Sequence, residues 1–130
     1  MTRFLSWIAA AALAILSVGP TFAAASASPV GQWQVTTGEA RYTVTSCGGG
    51  GQLCAKLVWL RSDARSQDNL ALLNKYVVRG AQPTGNGTWA GNVTFNGNSY
   101  AGTMKLVSKN FMTLKGCSGI LCQTYEFTRI

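Results

Sequence analysis

The sequence has no histidine and only four acidic residues, so most catalytic arrangements lack the residues that would form them. Without histidine there is no Ser–His or Cys–His pair, in which an imidazole activates a nucleophile. Only Asp63 and Asp68 are acidic residues close in sequence, and arginines accompany them, which is typical of a solvated charged loop rather than an acid–base pair. Phosphate-binding and dinucleotide-binding glycine motifs are also missing. We therefore expect that the protein is not an enzyme, that it binds no cofactor and that it has no metal site.

The first 27 residues have the pattern of a signal peptide rather than of a membrane anchor. Arg3 supplies a positive charge, and residues 4–18 carry none, a run shorter than the roughly 20 residues that a transmembrane helix needs. Small residues follow, with cleavage expected after Ala25 or Ala27. Residues 28–130 would then form one domain, periplasmic or secreted, with no transmembrane span left after cleavage.

Charged residues are sparse, and the basic ones are scattered along the chain. Loss of Arg3 with the signal lowers the formal net charge from +7 to +6. No basic run marks a nucleic-acid-binding arm, so nucleic acid is not an expected partner. The pattern favours an ordinary soluble surface, with attraction to anionic envelope material as the alternative.

The four cysteines are expected to form two disulfides, because the predicted compartment is oxidising. Three pairings are possible, and we favour the local one, Cys47 with Cys54 and Cys117 with Cys122, in which each bond spans one turn. Zinc is the alternative use of these cysteines, weakened by the lack of histidine.

Eight short segments alternate β-branched or aromatic residues with polar ones, which predicts strands. The predicted strands are 31–37, 40–46, 53–60, 75–80, 88–95, 98–107, 111–116 and 123–129. Asn96-Gly97 is a strong hairpin signal, whereas Pro83 and residues 85–87 predict a loop. An all-β, eight-stranded antiparallel up-and-down barrel is favoured because closure removes exposed edges, with a two-sheet sandwich as the alternative.

The longest connection, residues 61–74, is the expected lid if the barrel has an open mouth. Asp68 is expected to cap one helical turn within it. The lid would offer leucines to an apolar ligand and arginines to a carboxylate or phosphate group: Leu70, Leu72, Leu73, Arg61 and Arg65. Alternatively, the leucines plug the end of the barrel.

Trp33, in the first strand, and Arg129, in the last, are expected to meet where the barrel closes. The first and last strands of a closed barrel are neighbours, so the guanidinium can stack on the indole ring. A solvated terminal arginine is the alternative.

Gly31-x-Trp33 with an arginine ending the last strand resembles the lipocalin and calycin arrangement. Nearly the whole mature chain resembles an exported bacterial family known as domain of unknown function 2147. The shared residues are short motifs spread from the first strand to the last: Gly31-x-Trp33, Cys47, Leu53-Cys54, Leu57-Val58-Trp59, Asp68-Asn69, Trp89-Ala90-Gly91, Gly97, Tyr100, Leu114-Lys115-Gly116-Cys117 and Thr128-Arg129. The chain departs from the family at two positions. Ala55 stands where the family commonly has glycine, and Leu70 stands where the family usually has proline. The resemblance implies a lipocalin-like barrel outside the cytoplasm and no known reaction.

Two functions fit such a barrel. One is a non-enzymatic binding protein that holds a small apolar or amphipathic ligand in the barrel mouth. The other is an envelope interaction or structural protein whose barrel is filled and whose surface does the work. Interior volume separates them, and many large side chains are expected to point inward, which leaves little room: Trp33, Tyr42, Trp89, Phe95, Tyr100, Met104, Met112, Leu114 and Phe127.

Overall fold

The structure is a computed structural model that describes residues 27–130. Residues 1–26, and with them almost all of the predicted signal peptide, lie outside the described residues. Signal cleavage after Ala25 or Ala27 therefore stays a prediction. Between residues 27 and 130, no helix combines the length and the apolar character needed to cross a membrane.

Eight antiparallel strands close into a barrel, which confirms the predicted fold class. Each strand pairs with its neighbour in sequence, and the last pairs with the first through Trp33 and Arg129. One 3-10 turn (Ser62–Ala64) and one helix, α1 (Gln67–Leu72), lie between the third and fourth strands. The strands are β1 (Gly31–Val35), β2 (Ala40–Ser46), β3 (Leu53–Leu60), β4 (Tyr76–Gly85), β5 (Thr88–Phe95), β6 (Asn98–Ser108), β7 (Phe111–Ser118) and β8 (Leu121–Arg129).

Strand β4 is longer than the sequence predicts, because it continues through Pro83 to Gly85. The expected loop is reduced to Asn86 and Gly87, whose φ angles of 55° and 70° suit a tight hairpin turn. Proline is tolerated here because the pairing of β4 with β3 ends at Ala81, so Pro83 has a strand partner on only one side.

Strand β3 owes its irregular alternation to a bulge. Tyr42 of β2 pairs with Leu57, but Arg41 pairs with Trp59, so Val58 is the extra residue. The bulge changes which positions face the interior, and Leu57 and Leu60 are both buried although three positions apart.

Helix α1 begins differently from the prediction. Its N-cap is Ser66, whose hydroxyl accepts a hydrogen bond from the Asn69 N–H at 3.2 Å. Asp68 is not the cap, and it lies inside the first turn of the helix. Serine and aspartate are both good N-caps, so the residue type alone did not decide between the two positions.

The two halves of the barrel are packed unequally. Most buried apolar side chains come from β1–β4 and the connection after β3. Within the described barrel, β5–β8 add only Met104, Met112 and Phe127 to the buried set. Other inward side chains of β5–β8 are only partly buried, because they face the space described next.

Candidate functional site

The two ends of the barrel differ in how they are closed. The end that carries the start of β1 and the finish of β8 is here named the closed end. The other, the open end, carries four connections: residues 36–39, 61–75, 96–97 and 119–120. A cavity of about 500 Å³ occupies the interior and reaches the open end.

Trp33 closes the cavity floor at the closed end. Its ring is fully buried, and its indole N–H donates a hydrogen bond to the Pro29 carbonyl at 2.8 Å. The Arg129 guanidinium carbon lies 4.4 Å from the ring centroid. The structure thus brings together the pair that the sequence places on neighbouring strands.

Arg129 also ties together three separate pieces of backbone at the closed end. Its guanidinium donates to the carbonyls of Ser28 at 2.6 Å, Val30 at 2.9 Å and Lys109 at 2.9 Å. These bonds join the segment before β1, the β6–β7 turn and the last strand. The floor of the cavity is therefore held by a hydrogen-bonded cation over an aromatic ring.

The cavity wall is mostly apolar and aromatic. Eight of the nine large side chains expected to point inward line it, yet they do not fill it. Trp89 is the exception, since it packs against the core near the closed end and donates its indole N–H to the Gly51 carbonyl at 3.2 Å. The lining side chains include Tyr42, Val44, Leu57, Val78, Phe95, Tyr100, Met104, Met112, Leu114 and Phe127.

Two inward-facing glycines on paired strands explain why space remains. Gly102 of β6 pairs with Gly116 of β7. Gly102 is covered, because a Cβ there would overlap the Val93 side chain. A Cβ on Gly116 would have nothing within 4 Å, so this position opens directly onto the cavity.

The polar side chains that line the cavity lie towards the open end. Burial, followed by the proximity of Tyr125 and Glu39, raises the pKa of Tyr42 to about 12, so its hydroxyl stays protonated at neutral pH. The Tyr42 ring packs edge-on against Phe127, with centroids 5.5 Å apart. The Tyr125 hydroxyl donates to the Gln123 side chain at 2.7 Å, whereas no side-chain hydrogen bond among residues 27–130 involves the Tyr42 hydroxyl.

Helix α1 lies at the open end, and the three predicted lid leucines have different surroundings there. Leu72 lines the cavity and is half-buried. Leu73 packs against the core without lining the cavity, and Leu70 is 44% exposed. Ala64 and Asn69 of the same connection also line the cavity.

The two arginines of this connection hydrogen-bond to groups of the open end and do not line the cavity. The Arg61 guanidinium grips both carboxylate oxygens of Asp63, at 2.5 and 3.0 Å, and donates to the Thr37 carbonyl at 3.1 Å. Arg65 donates to the Leu60 carbonyl at 3.3 Å. Neither arginine lines the cavity, and a contact of either one with a ligand head group stays a prediction.

The disulfides are Cys47–Cys54 and Cys117–Cys122, the favoured local pairing. The first spans the loop between β2 and β3 at the closed end. The second joins directly paired residues of β7 and β8 beside the open-end turn. The Ile120 side chain at that turn is 99% exposed.

The cavity has a volume and a mostly apolar wall that are typical of pockets for small molecules. Pockets for small ligands typically measure roughly 300–1,000 Å³ and combine an apolar wall with a few polar groups. In the part of the chain that the structure describes, no group of three histidine, cysteine, aspartate or glutamate side chains is placed to hold a metal ion.

The fold and the cavity define a small up-and-down β-barrel with a floor at one end and an opening at the other. The chain belongs to a bacterial family, domain of unknown function 2147, described as an uncharacterized protein conserved in bacteria, whose family model matches residues 31–129. No curated protein and no solved structure is significantly similar to the chain.

Proposed function

We propose that this chain is an exported, non-enzymatic binding protein that holds one small, mostly apolar molecule in the barrel cavity. The observation that carries the proposal is the cavity of about 500 Å³, which the inward side chains surround without filling. Well-packed protein interiors contain few voids larger than a water molecule. We therefore expect a cavity of this size to hold a bound small molecule.

The two ends of the barrel suit this function. Trp33 and Arg129 seal one end by stacking and hydrogen bonding, so a ligand has one route of entry. At the other end, Leu72 of α1 forms part of the wall beside the opening. A short helix with few core contacts is well suited to move aside during entry.

Export is supported by the two disulfides. Disulfides persist in oxidising compartments such as the periplasm and the extracellular space. The signal-peptide pattern of residues 1–27 points to the same compartments.

A surface-interaction function is the second candidate, and one observation favours it. Ile120 and Leu121 are 99% and 76% exposed at the tip of the hairpin stapled by Cys117–Cys122. Apolar side chains displayed on a braced turn are typical of a docking point for another envelope component. In that case, the cavity would stay empty during function.

The test is to fill the cavity from Gly116, the position where an added side chain meets nothing. We expect the wild-type protein to enhance the fluorescence of N-phenylnaphthylamine, an uncharged apolar probe, at one site per barrel. Gly116→Phe is expected to lower the probe affinity at least tenfold while leaving the melting temperature equal or higher. Native mass spectrometry of protein purified from the envelope is expected to show an added small-molecule mass that the variant lacks.

Gly49→Phe is the matched control, because Gly49 also has nothing near its added Cβ but lies in the exposed β2–β3 loop. It is expected to bind the probe like the wild type. A wild-type protein that binds no apolar probe and carries no added mass would overturn the proposal and favour the surface function instead. Equal probe affinity in the wild type and in Gly116→Phe would show that the probe binds outside the barrel.

A further inference from the structure

We propose that the cavity prefers an apolar molecule with a cationic end, such as a protonated alkyl amine, over one with a carboxylate, and that Glu39 sets this preference. The inference deepens the proposed binding function and rests on it. It differs from the sequence-based expectation, in which arginines of the lid would meet an anionic head group.

Glu39 is the one charged side chain among the described residues that line the cavity. It immediately precedes β2, at the open end, and its side chain is exposed to solvent there. Its backbone carbonyl accepts a hydrogen bond from the Arg61 N–H at 2.8 Å, which fixes the position of the residue. A ligand that fills the cavity and leaves its polar end in the mouth would therefore meet a carboxylate.

Arg61 is close enough to affect Glu39 but is already neutralised. Both carboxylate oxygens of Asp63 accept hydrogen bonds from one edge of its guanidinium, Nε and Nη2, so Glu39, Arg61 and Asp63 together carry one net negative charge. Between residues 27 and 130, this is the one ion pair formed. Arg65 and Lys75 belong to the same end of the barrel but do not line the cavity.

The aromatic side chains beside Glu39 also favour a ligand with a cationic end. Tyr42 and Tyr125 both line the cavity, and the electron-rich faces of their rings attract cations. Glu39 is close enough to Tyr42 to help hold the phenol in its protonated form. A ligand carboxylate in this position would meet a like charge and would lose water without gaining a cationic partner.

Three twelve-carbon competitors that differ only in the end group test the proposal: dodecylamine, dodecanol and dodecanoic acid. Each is used below its micelle concentration, at pH 7 and low salt, to displace N-phenylnaphthylamine from the barrel. We expect the amine to displace the probe at roughly three- to tenfold lower concentration than the acid, the range that one partly exposed charge contact supports. The alcohol is expected to lie between them.

Glu39→Gln is expected to remove the difference between amine and acid while leaving displacement by the alcohol unchanged. Glu126→Gln is the matched control, because Glu126 is exposed and does not line the cavity, and it should keep the wild-type order. An acid that displaces as well as the amine, or an amine preference that survives in Glu39→Gln, overturns the inference while leaving the binding function intact. Absence of any probe binding would instead overturn the binding function itself, and this inference with it.

Discussion

The closed and open ends of the barrel are built from similar residues that are used in opposite ways. At the closed end, the Trp33 ring is fully buried, its N–H is bonded, and Arg129 gives its hydrogen bonds to three carbonyls. At the open end, Tyr42 and Leu72 line a cavity that the protein's own side chains do not fill. Groups that satisfy one another stabilise the fold, whereas groups left facing a cavity are available to a ligand.

The largest expected effect of a single substitution is therefore at the closed end. Trp33→Ala should lower the free energy of unfolding by about 3–5 kcal/mol, because a fully buried indole is lost and Arg129 loses its aromatic partner. Denaturant unfolding measures the change. Trp59→Ala is the matched control, since Trp59 is only half-buried and stacks on Arg41, so it should cost less than half as much.

Arg129→Met keeps an unbranched stem but removes the guanidinium, and it serves if Trp33→Ala does not fold. It should cost about 1–2 kcal/mol, because the cation–π contact and the bonds to three carbonyls are lost while water can still reach the chain ends. An unchanged unfolding midpoint in Arg129→Met would mean that the contacts of the Arg129 guanidinium do not stabilise the closed end.

At the open end, we expect alkaline pH to destabilise the protein through Tyr42. Burial raises the pKa of this phenol from 10.0 to about 12. Between these values the unfolded chain has lost the proton and the folded chain keeps it, so the unfolded state binds fewer protons and stability falls as pH rises. The stability is complete below pH 10, and the loss should approach about 2 to 3 kcal/mol near pH 12.

Unfolding in denaturant at several alkaline pH values, compared with Tyr42→Phe, isolates this contribution. All other ionisable groups are the same in both proteins, so the difference between the two curves belongs to Tyr42. Superimposable pH profiles for the two proteins would contradict the placement of this hydroxyl in a buried environment.

Features set by local pattern could be predicted from the sequence, and features set by three-dimensional fit could not. Strands β2, β3 and β5 have the predicted limits, because alternation and glycine turns are local signals. The sequence left a ligand-holding barrel and a filled barrel as alternatives, because the interior volume depends on which inward glycine a neighbour covers. Val93 covers Gly102, while nothing covers Gly116, and no spacing in the sequence distinguishes the two.

The position of Glu39 in the cavity lining could not be predicted from the sequence, for a related reason. The sequence offers Arg61 and Arg65 in the long connection, but both guanidinium groups are hydrogen-bonded to Asp63, Thr37 or Leu60, and neither residue lines the cavity. Glu39 follows a turn glycine, and no sequence motif around it predicts a contact with a ligand. Its role depends on where the barrel opens, which the order of the strands decides.

The smallest effects are expected at the open end, where Leu70 and Leu72 of α1 and the adjacent Leu73 show whether this segment contacts a ligand or only plugs the barrel. Leu73→Ala should cost about 1–2 kcal/mol of stability, because Leu73 packs against the core, and should leave N-phenylnaphthylamine binding unchanged. Leu72→Ala should cost a similar amount or less and should also weaken probe binding several-fold, because Leu72 lines the cavity. Leu70→Ala should change stability by less than about 0.5 kcal/mol and leave binding unchanged, because Leu70 is largely in solvent. Measuring both quantities on all three variants matters, since a simple plug would show stability losses at Leu72 and Leu73 with no change in affinity at either. Such a result would make α1 a plug of the open end, and a ligand would then have to enter between the remaining open-end turns.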